Sequence, residues 1–223
     1  MRSDHTVGRE LVSHPVDVSV PPALDNRNRL TCAFRIVLAI PHLILVGAPV
    51  ALAMSFLFWP IPDSEMEFGG GGVLGLGVVM IAVISWFAIV FTGRMPRGLW
   101  DLSAYYLRWR VRAIAWMALL RDEFPPFGDD QYPVALELPR YEQARDRLSV
   151  AFRAILVLPH LIMVWVLGVA WFLATVWAWL MIVFTGKYPV DVYPFAVGVL
   201  RWSTSVEAYV LLLHDEYPPF SLT

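Results

Sequence analysis

The sequence predicts an all-α membrane protein of two tandem repeats. Each repeat is expected to form a transmembrane helical hairpin followed by an amphipathic interfacial helix, with a short β segment before it. Three observations lead to this prediction: the composition is strongly apolar, long charge-free stretches interrupt the chain, and the same motifs recur in both halves. Of the 223 residues, 58 % are hydrophobic and 16 % are charged, whereas soluble domains carry roughly 25 % charged residues. A lipid bilayer is the solvent that accommodates this surplus of apolar surface.

Charge and cysteine content exclude several classes of function. The net charge of −2 argues against a nucleic-acid-binding protein, which would carry a basic surface. The single cysteine, Cys32, excludes an internal disulfide framework and a cysteine-rich metal site. The mostly polar residues 1–28 contain no apolar run followed by a cleavage site, so we expect no removable signal peptide. We expect no cofactor.

An internal repeat organises the chain. Motifs in the first part of each copy are separated by 118 residues and motifs in the later part by 93. The matches include Pro41-His42-Leu43-Ile44 with Pro159-His160-Leu161-Ile162, Val90-Phe91-Thr92-Gly93 with Val183-Phe184-Thr185-Gly186, and Asp122-Glu123 with Asp215-Glu216. The two offsets differ by 25, so the first copy carries about that many extra residues. We assign residues 1–13 to an N-terminal tail, 14–127 to repeat 1 and 132–223 to repeat 2.

Repeat 1 begins with a strand pattern and continues with a hairpin of two spans. Residues 14–20 alternate apolar and polar side chains, which is typical of a short strand. Charge-free runs then predict spans at about 41–59 and 73–92. The segment between them, 60–72, is rich in Pro, Gly and acidic residues and is predicted to be a loop.

Repeat 2 lacks that loop, and its apolar run from 148 to 185 has two interpretations. The first is a tight hairpin that turns near Gly168, with spans at about 148–167 and 169–185. The second is a single kinked span with an elbow before Pro159. Positive residues mark the cytoplasmic side of a membrane, and two hairpins would place every Lys and Arg there. We therefore expect four spans with both termini in the cytoplasm of a bacterial inner membrane.

After each hairpin comes a segment too polar to span, at about 98–120 and 195–213. Both segments mix arginines with tryptophan and tyrosine, as helices in a membrane interface do. A helix that packs over the hairpins as a protein lid has the same pattern. The sequence leaves these two interpretations open.

Arg35 and Arg153 lie near the start of the first helix of each copy. One interpretation is that their guanidinium groups snorkel to lipid headgroups. The other is a clamp on a lipid phosphate, because arginine can hold phosphate through two parallel bonds. Their position at a helix end favours snorkelling.

Arg108, Arg110, Arg112 and Arg201 are the remaining candidate contact residues, for lipid headgroups or for a partner. At 100° per residue, Arg108 and Arg112 share one face of a helix, where they could reach phosphates of the cytoplasmic leaflet. Arg110 lies almost opposite. A buried arginine needs a carboxylate, so we expect Arg110 to pair with an acid on another element or another protein.

No set of residues points to catalysis. Adjacent carboxylates such as Asp122-Glu123 do not face each other on a helix and do not form an acid–base pair. His42 and His160 lack further ligands at metal-binding spacing. The glycines 69–72 lack the Lys-Ser/Thr ending of a phosphate-binding loop, and no hydrolase or metalloprotease motif occurs. We expect a non-enzymatic protein without a bound metal.

Several of these motifs resemble a bacterial membrane family called domain of unknown function 4389. They are Phe-Thr-Gly-Lys-Tyr-Pro at 184–189, Leu-Arg-Trp-Ser-Thr at 200–204 and Asp-Glu-Tyr-Pro-Pro-Phe at 215–220. Repeat 2 matches closely, whereas repeat 1 has Arg-Trp-Arg-Val-Arg at 108–112 and the extra loop. The resemblance implies a multi-pass inner-membrane protein, common in actinobacteria, without assigned activity or functional residues.

Two classes of function follow. The first is an accessory subunit of a larger membrane complex, for which the bacterial setting suggests a lipid transporter of the mycobacterial cell-entry (Mce) type. The second is a small lipid-binding or transport protein that acts alone or as a homo-oligomer, because duplicated membrane units often enclose a site between the copies. Purification from native membranes with or without a stoichiometric partner distinguishes them.

Overall fold

The computed structural model describes residues 15–47, 72–127, 130–140 and 145–222. These residues form two short strands and eight helices. In chain order they are β1 (Asp17–Ser19), α1 (Arg29–Ala33), α2 (Arg35–Val46), α3 (Gly72–Thr92), α4 (Arg97–Met117), β2 (Ala135–Glu137), α5 (Arg147–Ala151), α6 (Arg153–Leu156), α7 (Leu158–Thr185) and α8 (Val192–Val210). The predicted tail and most of the predicted 60–72 loop lie outside the described residues.

The two strands form one antiparallel ribbon. Val18 is opposite Leu136, and Asp17 and Ser19 pair with Glu137 and Ala135. Val18 and Leu136 are buried while their neighbours along each strand are exposed. The alternation that predicts a strand therefore reflects a ribbon with one apolar face, which contacts α4 and α8. The two predicted short β segments are present, at Asp17–Ser19 and Ala135–Glu137.

Helices α4 and α8 form the centre of the protein. They correspond to the predicted interfacial helices, and each contributes 12 buried residues. Small side chains such as Ala104, Ala113 and Ala115 are fully buried and allow close packing between the helices. The structure thus places α4 and α8 against other protein elements, as the lid interpretation expects.

The long apolar helices lie on the outside of this centre. Gly72–Thr92 and Arg153–Thr185 are long and apolar enough to cross a membrane, and only 22 % and 28 % of their most apolar windows are buried. Large apolar side chains such as Met80, Phe87, Phe172 and Phe184 are at least half exposed. The described part of the chain is mostly helical, and two of its helices are candidate membrane spans.

The predicted hairpin at Gly168 is wrong. Helix α7 continues through Gly168 for 28 residues, a length of about 42 Å. A glycine inside a helix costs only about 1 kcal/mol, whereas a turn in apolar surroundings leaves backbone groups without hydrogen-bond partners at greater cost. The interruptions come earlier, at Phe152 and Val157, and Pro159 lies in the first turn of α7, where proline is tolerated. Of the two interpretations, the single helix with an elbow before Pro159 agrees with the structure.

In the first half, α2 and α3 together correspond to α7. Val46 ends α2 and Gly72 begins α3, and the sequence offsets match them to Val164 and Trp165, which are adjacent in α7. A Cβ atom on Gly72 would lie 2.6 Å from the Leu45 carbonyl group, so α3 begins in direct contact with the end of α2. The described residues at the two ends of this 25-residue insertion, Gly47 and Gly72, therefore lie at one point of the fold.

Candidate functional site: two matched arginine–aspartate clusters

The first cluster centres on Asp122, in the loop after α4. Arg27 donates to both carboxylate oxygens of Asp122, from Nε at 2.8 Å and from Nη2 at 2.7 Å. Arg35 donates to Oδ1 from Nη2 at 2.9 Å, and the amide of Asn28 donates to Oδ2 at 3.0 Å. One carboxylate thus fastens the beginning of α1 and α2 to the end of α4.

The end of α4 needs these donors. Helix C-termini leave carbonyl groups without partners inside the helix. Leu119 adopts a left-handed conformation, with φ of 64°, and the Leu120 amide donates back to the Ala115 carbonyl at 2.9 Å, which is the pattern of a Schellman ending. Arg27 donates to the Leu119 carbonyl and Arg35 to that of Trp116, both at 2.7 Å.

The second cluster repeats the first around Asp215. Arg153 donates from Nη2 to Oδ1 of Asp215 at 2.7 Å, and Arg145 forms an ion pair with Oδ2 at 2.9 Å. The carbonyl acceptors are also matched: Arg145 donates to Leu212, whose φ is 61°, and Arg153 donates to Tyr209 at 3.1 Å. Each residue lies 118 or 93 positions after its counterpart in the first cluster.

The arginines of both clusters are removed from water. Arg35 and Arg153 are each 3 % exposed, and their guanidinium groups also lie over aromatic rings, 4.6 Å from the Trp116 centroid and 4.2 Å from that of Tyr209. Neither the snorkelling nor the phosphate-clamp interpretation is correct for these two residues. Both lie near the start of a helix, as predicted from the sequence, but their carboxylate partners lie 87 and 62 residues away.

Asp122 is ionised within its cluster. Burial by itself raises the pKa of this carboxyl group, but the hydrogen bonds from Arg27 and the Asn28 amide, with the charges of Arg27 and Arg35, lower it below its usual range. The cluster is therefore an ion pair in which one carboxylate binds two arginines and a backbone amide. It is built to hold elements together.

Arg110 forms a separate buried ion pair. Its Nε donates to Oε2 of Glu207 at 2.9 Å and its Nη2 to Oε1 at 3.1 Å, while Nη1 donates to the carbonyl of Val46. The expectation that Arg110 pairs with an acid on another element is confirmed by Glu207 on α8. The counterparts of the two residues are Ser203 and Ile114, so this pair has no equivalent in the other half.

The break between α2 and α3 explains that difference. Val46 is the last residue of α2, so its carbonyl has no intrahelical donor. Its counterpart Val164 lies inside the uninterrupted α7. Arg110 supplies the missing donor, and Glu207 neutralises the arginine.

Arg112 and Arg201 donate to carbonyl groups in or near the ribbon strands. Arg112 donates from Nη1 to the Asp130 carbonyl at 3.1 Å, and Arg201 donates from Nε to the Val18 carbonyl at 2.9 Å. Arg108 is half-buried and shares the Arg112 face of α4. This face points away from Arg110 and therefore away from α2. A contact of these residues with lipid headgroups stays a prediction.

Each half also contains a buried histidine stacked on a phenylalanine, which was not predicted from the sequence. The ring of His42 stacks on Phe127 with centroids 4.9 Å apart, and that of His160 stacks on Phe220 at 4.1 Å. Both histidines are fully buried. The signal was present, because each Pro-Pro-Phe motif follows an Asp-Glu pair and the prolines turn the chain back toward its histidine. In the described part of the chain no three His, Cys, Asp or Glu side chains come together as a metal site.

These features define a mostly helical protein with two repeat-like halves, membrane-like helices and a matched ion cluster in each half. The model of the family described as Domain of unknown function (DUF4389) matches residues 71–128 and 147–221. The chain therefore belongs to that family, as its motifs suggest. Both cluster aspartates fall within the matched segments. No curated protein and no solved structure matches the chain.

Proposed function

We propose that this protein is a non-enzymatic accessory subunit of a larger complex in the bacterial inner membrane, with both chain ends on the cytoplasmic side. The observation that carries the proposal is that the charged clusters bind groups inside the protein, whereas the apolar side chains of the long helices face outward. The cluster arginines bind carboxylates and carbonyls of the chain itself. The exposed surface of α3 and α7, in contrast, is apolar. Such a protein offers packing surface to its surroundings.

Aromatic side chains support a role in assembly. Trp165, Phe172, Trp177 and Phe184 are exposed on α7 by 39 %, 67 %, 53 % and 75 %. Tryptophan, tyrosine and phenylalanine are enriched where membrane proteins meet partners and the bilayer interface. A transmembrane helix of another protein can pack on this surface without exposing polar groups to lipid. A lipid transporter of the Mce type is the complex that we propose to examine first.

The test is purification from native membranes with a photo-crosslinking amino acid at Phe172 or at Phe87. Both positions face outward on the apolar helices, so the probe leaves the ion clusters intact. We expect one stoichiometric membrane protein, crosslinked at one of the two positions. A probe at Tyr105, which is exposed on α4, is the matched control and should give less of that product.

Two results would contradict the proposal. Crosslinks only between copies of this chain would favour the second class of function, a homo-oligomer that binds or moves lipid. A single chain crosslinked only to lipid would favour a lipid-binding protein that acts alone.

A further inference from the structure

We infer that the apolar helices lie parallel to the membrane surface within one leaflet, so that the protein enters the bilayer from one side without crossing it. The acyl chains of that leaflet cover the apolar surface outside its contact with the proposed partner protein. This arrangement differs from the multi-pass topology expected from the sequence. It does not depend on the proposed partner complex.

The ribbon relates the two halves by a twofold axis. Val18 pairs with Leu136, and the two residues are counterparts at the offset of 118. When a residue contacts its own counterpart in an antiparallel pair, a twofold axis passes between the two. The axis therefore passes through the middle of the ribbon.

Contacts elsewhere obey the same symmetry. The Arg27 amide donates to the Gly186 carbonyl at 3.0 Å, and the Arg145 amide donates to the Gly93 carbonyl at 3.0 Å. Each contact joins one half to the other, and the second follows from the first by exchange of the halves. Such reciprocal contacts are the mark of twofold symmetry.

Two indole groups add an independent pair of reciprocal contacts. Trp179 donates from Nε1 to the Cys32 carbonyl at 3.0 Å, and Trp86 donates from Nε1 to the Val150 carbonyl at 2.9 Å. Both bonds join the end of a long apolar helix in one half to the first short helix of the other half. The symmetry thus extends from the ribbon to the apolar helices.

The exposed side chains of the ribbon determine how the twofold axis is oriented relative to the membrane. Because the apolar surface is shared by both halves, the axis must run along the membrane normal or lie in the bilayer midplane. The ribbon lies on the axis, and its Asp17 and Glu137 side chains are exposed. Carboxylates exposed in the hydrocarbon core are strongly unfavourable, so the ribbon lies in water and the axis runs along the normal.

Rotation about the normal leaves depth in the membrane unchanged. Arg27 and Arg145 are counterparts and therefore lie at one depth. Because Arg27 is bonded to Gly186, Arg145 and Gly186 lie at nearly the same depth too. These two residues flank α5, α6 and α7, so this apolar segment starts and ends at one level. Only 12 residues, about 18 Å as helix, separate Arg145 from the start of α7, so the two ends of α7 cannot differ in depth by the roughly 30 Å that a crossing needs. Because α7 has no turn within its 28 residues, it runs along the membrane.

Dimensions and charges fit this placement. A helix with its side chains is about 10–12 Å wide, which suits one half of a hydrocarbon core of about 30 Å. All backbone groups inside the helices are bonded within them, as the hydrocarbon region requires. Exposed cations at the helix ends can reach the phosphates of the same leaflet; they are Arg29, Arg94, Arg147 and Lys187.

The first test measures depth along α7. Spin labels are placed one at a time at Ile162, Val169, Val176 and Phe184 in a Cys32→Ala background, and the protein is reconstituted in phosphatidylcholine–phosphatidylglycerol vesicles. All four positions are exposed, so the labels face lipid without disturbing the core. Power saturation with oxygen and a nickel chelate reports the depth of each label. We expect depths that agree within about one helical turn, roughly 5 Å.

A crossing helix gives a different profile. Val169 and Phe184 would differ in depth by roughly 22 Å, since each residue adds about 1.5 Å. That result would overturn the inference and leave the proposed complex unaffected.

The second test uses accessibility and does not rely on reconstitution. Single cysteines replace Glu137 before α5 and Lys187 after α7, both in exposed positions. An impermeant maleimide should treat the two cysteines alike: both react in intact cells, or both react only after lysis. Labelling from opposite sides would overturn the inference even if the depth series were uniform.

Discussion

Each half of the protein ties its helices together through one aspartate. Asp122 holds Arg27 and Arg35, and Asp215 holds Arg145 and Arg153. The arginines also satisfy helix-terminal carbonyls, so charge and backbone are neutralised in one place. At such a site the loss of one partner costs more than the pair contributes, because the remaining charges stay buried.

Replacing Asp122 with Asn removes the shared charge at nearly constant size. We expect the free energy of unfolding to fall by about 2 kcal/mol near neutral pH, which is typical of hydrogen bonds to charged groups. The pKa of Asp122 is lowered in the folded state, so its contribution is complete above the unfolded pKa of roughly 3.9. The contribution is lost as the pH falls through the folded pKa. Thermal unfolding in one detergent across this pH range measures both effects.

Glu123→Gln is the matched control. Glu123 pairs with Arg121 at the surface, and its side chain is 52 % exposed, so its loss should cost little. A loss for Asp122→Asn that stays constant down to acid pH would contradict the ionised cluster.

At the scale of elements, the two halves build the same long apolar segment from different helices. Helix α7 is continuous, whereas α2 and α3 are separated by residues 47–71 and meet again at Gly72. The interruption leaves the Val46 carbonyl without a donor in its own helix. Arg110, which is paired with Glu207, donates to this carbonyl. The Arg-Trp-Arg-Val-Arg motif that departs from the other half is thus tied to the insertion.

Arg110→Ser tests this link. We expect a loss of about 3–5 kcal/mol in the free energy of unfolding, because Glu207 and the Val46 carbonyl both lose their partner. Deletion of 47–71 joins Val46 to Gly72 and restores a continuous helix like α7. In that variant, Arg110→Ser with Glu207→Ile reproduces the Ser203–Ile114 pair of the other half and should cost much less. Chemical denaturation of the intact chain and these three variants gives the comparison.

Arg108→Ser is the control within the same helix. Its half-buried side chain faces away from Val46, so we expect a change within about 0.5 kcal/mol. Equal losses for Arg108→Ser and Arg110→Ser, or no relief in the deletion variant, would refute the link between Arg110 and the broken helix.

At the scale of the molecule, the halves interlock. The first helix of each half packs on the long helix of the other, and the ribbon takes one strand from each. Neither half buries its own surface alone. Contacts between distant parts of the chain therefore decide stability.

We expect residues 1–128 and 129–223 to be unstable when each is expressed separately, because each then exposes surface that the other half covers. Coexpression should restore a stable one-to-one complex. Thermal melting and size-exclusion chromatography in detergent measure this. A cooperative unfolding transition of either half alone, at the temperature of the intact chain, would show that the halves are independent.

The sequence by itself determined the apolar character of the chain, the matched motifs of its two halves and the positions of the ribbon, α4 and α8. These features are local or repeated, so composition and spacing report them. It also predicted a buried partner for Arg110, since the spacing of the three arginines separates Arg110 from the other two.

Only the tertiary structure decided the continuity of α7 and the partners of Arg35 and Arg153. An apolar run has the same composition whether it turns at Gly168 or continues, and the difference lies in backbone hydrogen bonds that the run does not encode locally. Asp122 and Asp215 meet their arginines across 62 to 95 residues, a distance over which no sequence period applies. Packing chooses such partners, because a buried guanidinium is stable only where the fold brings a carboxylate and free carbonyls to it.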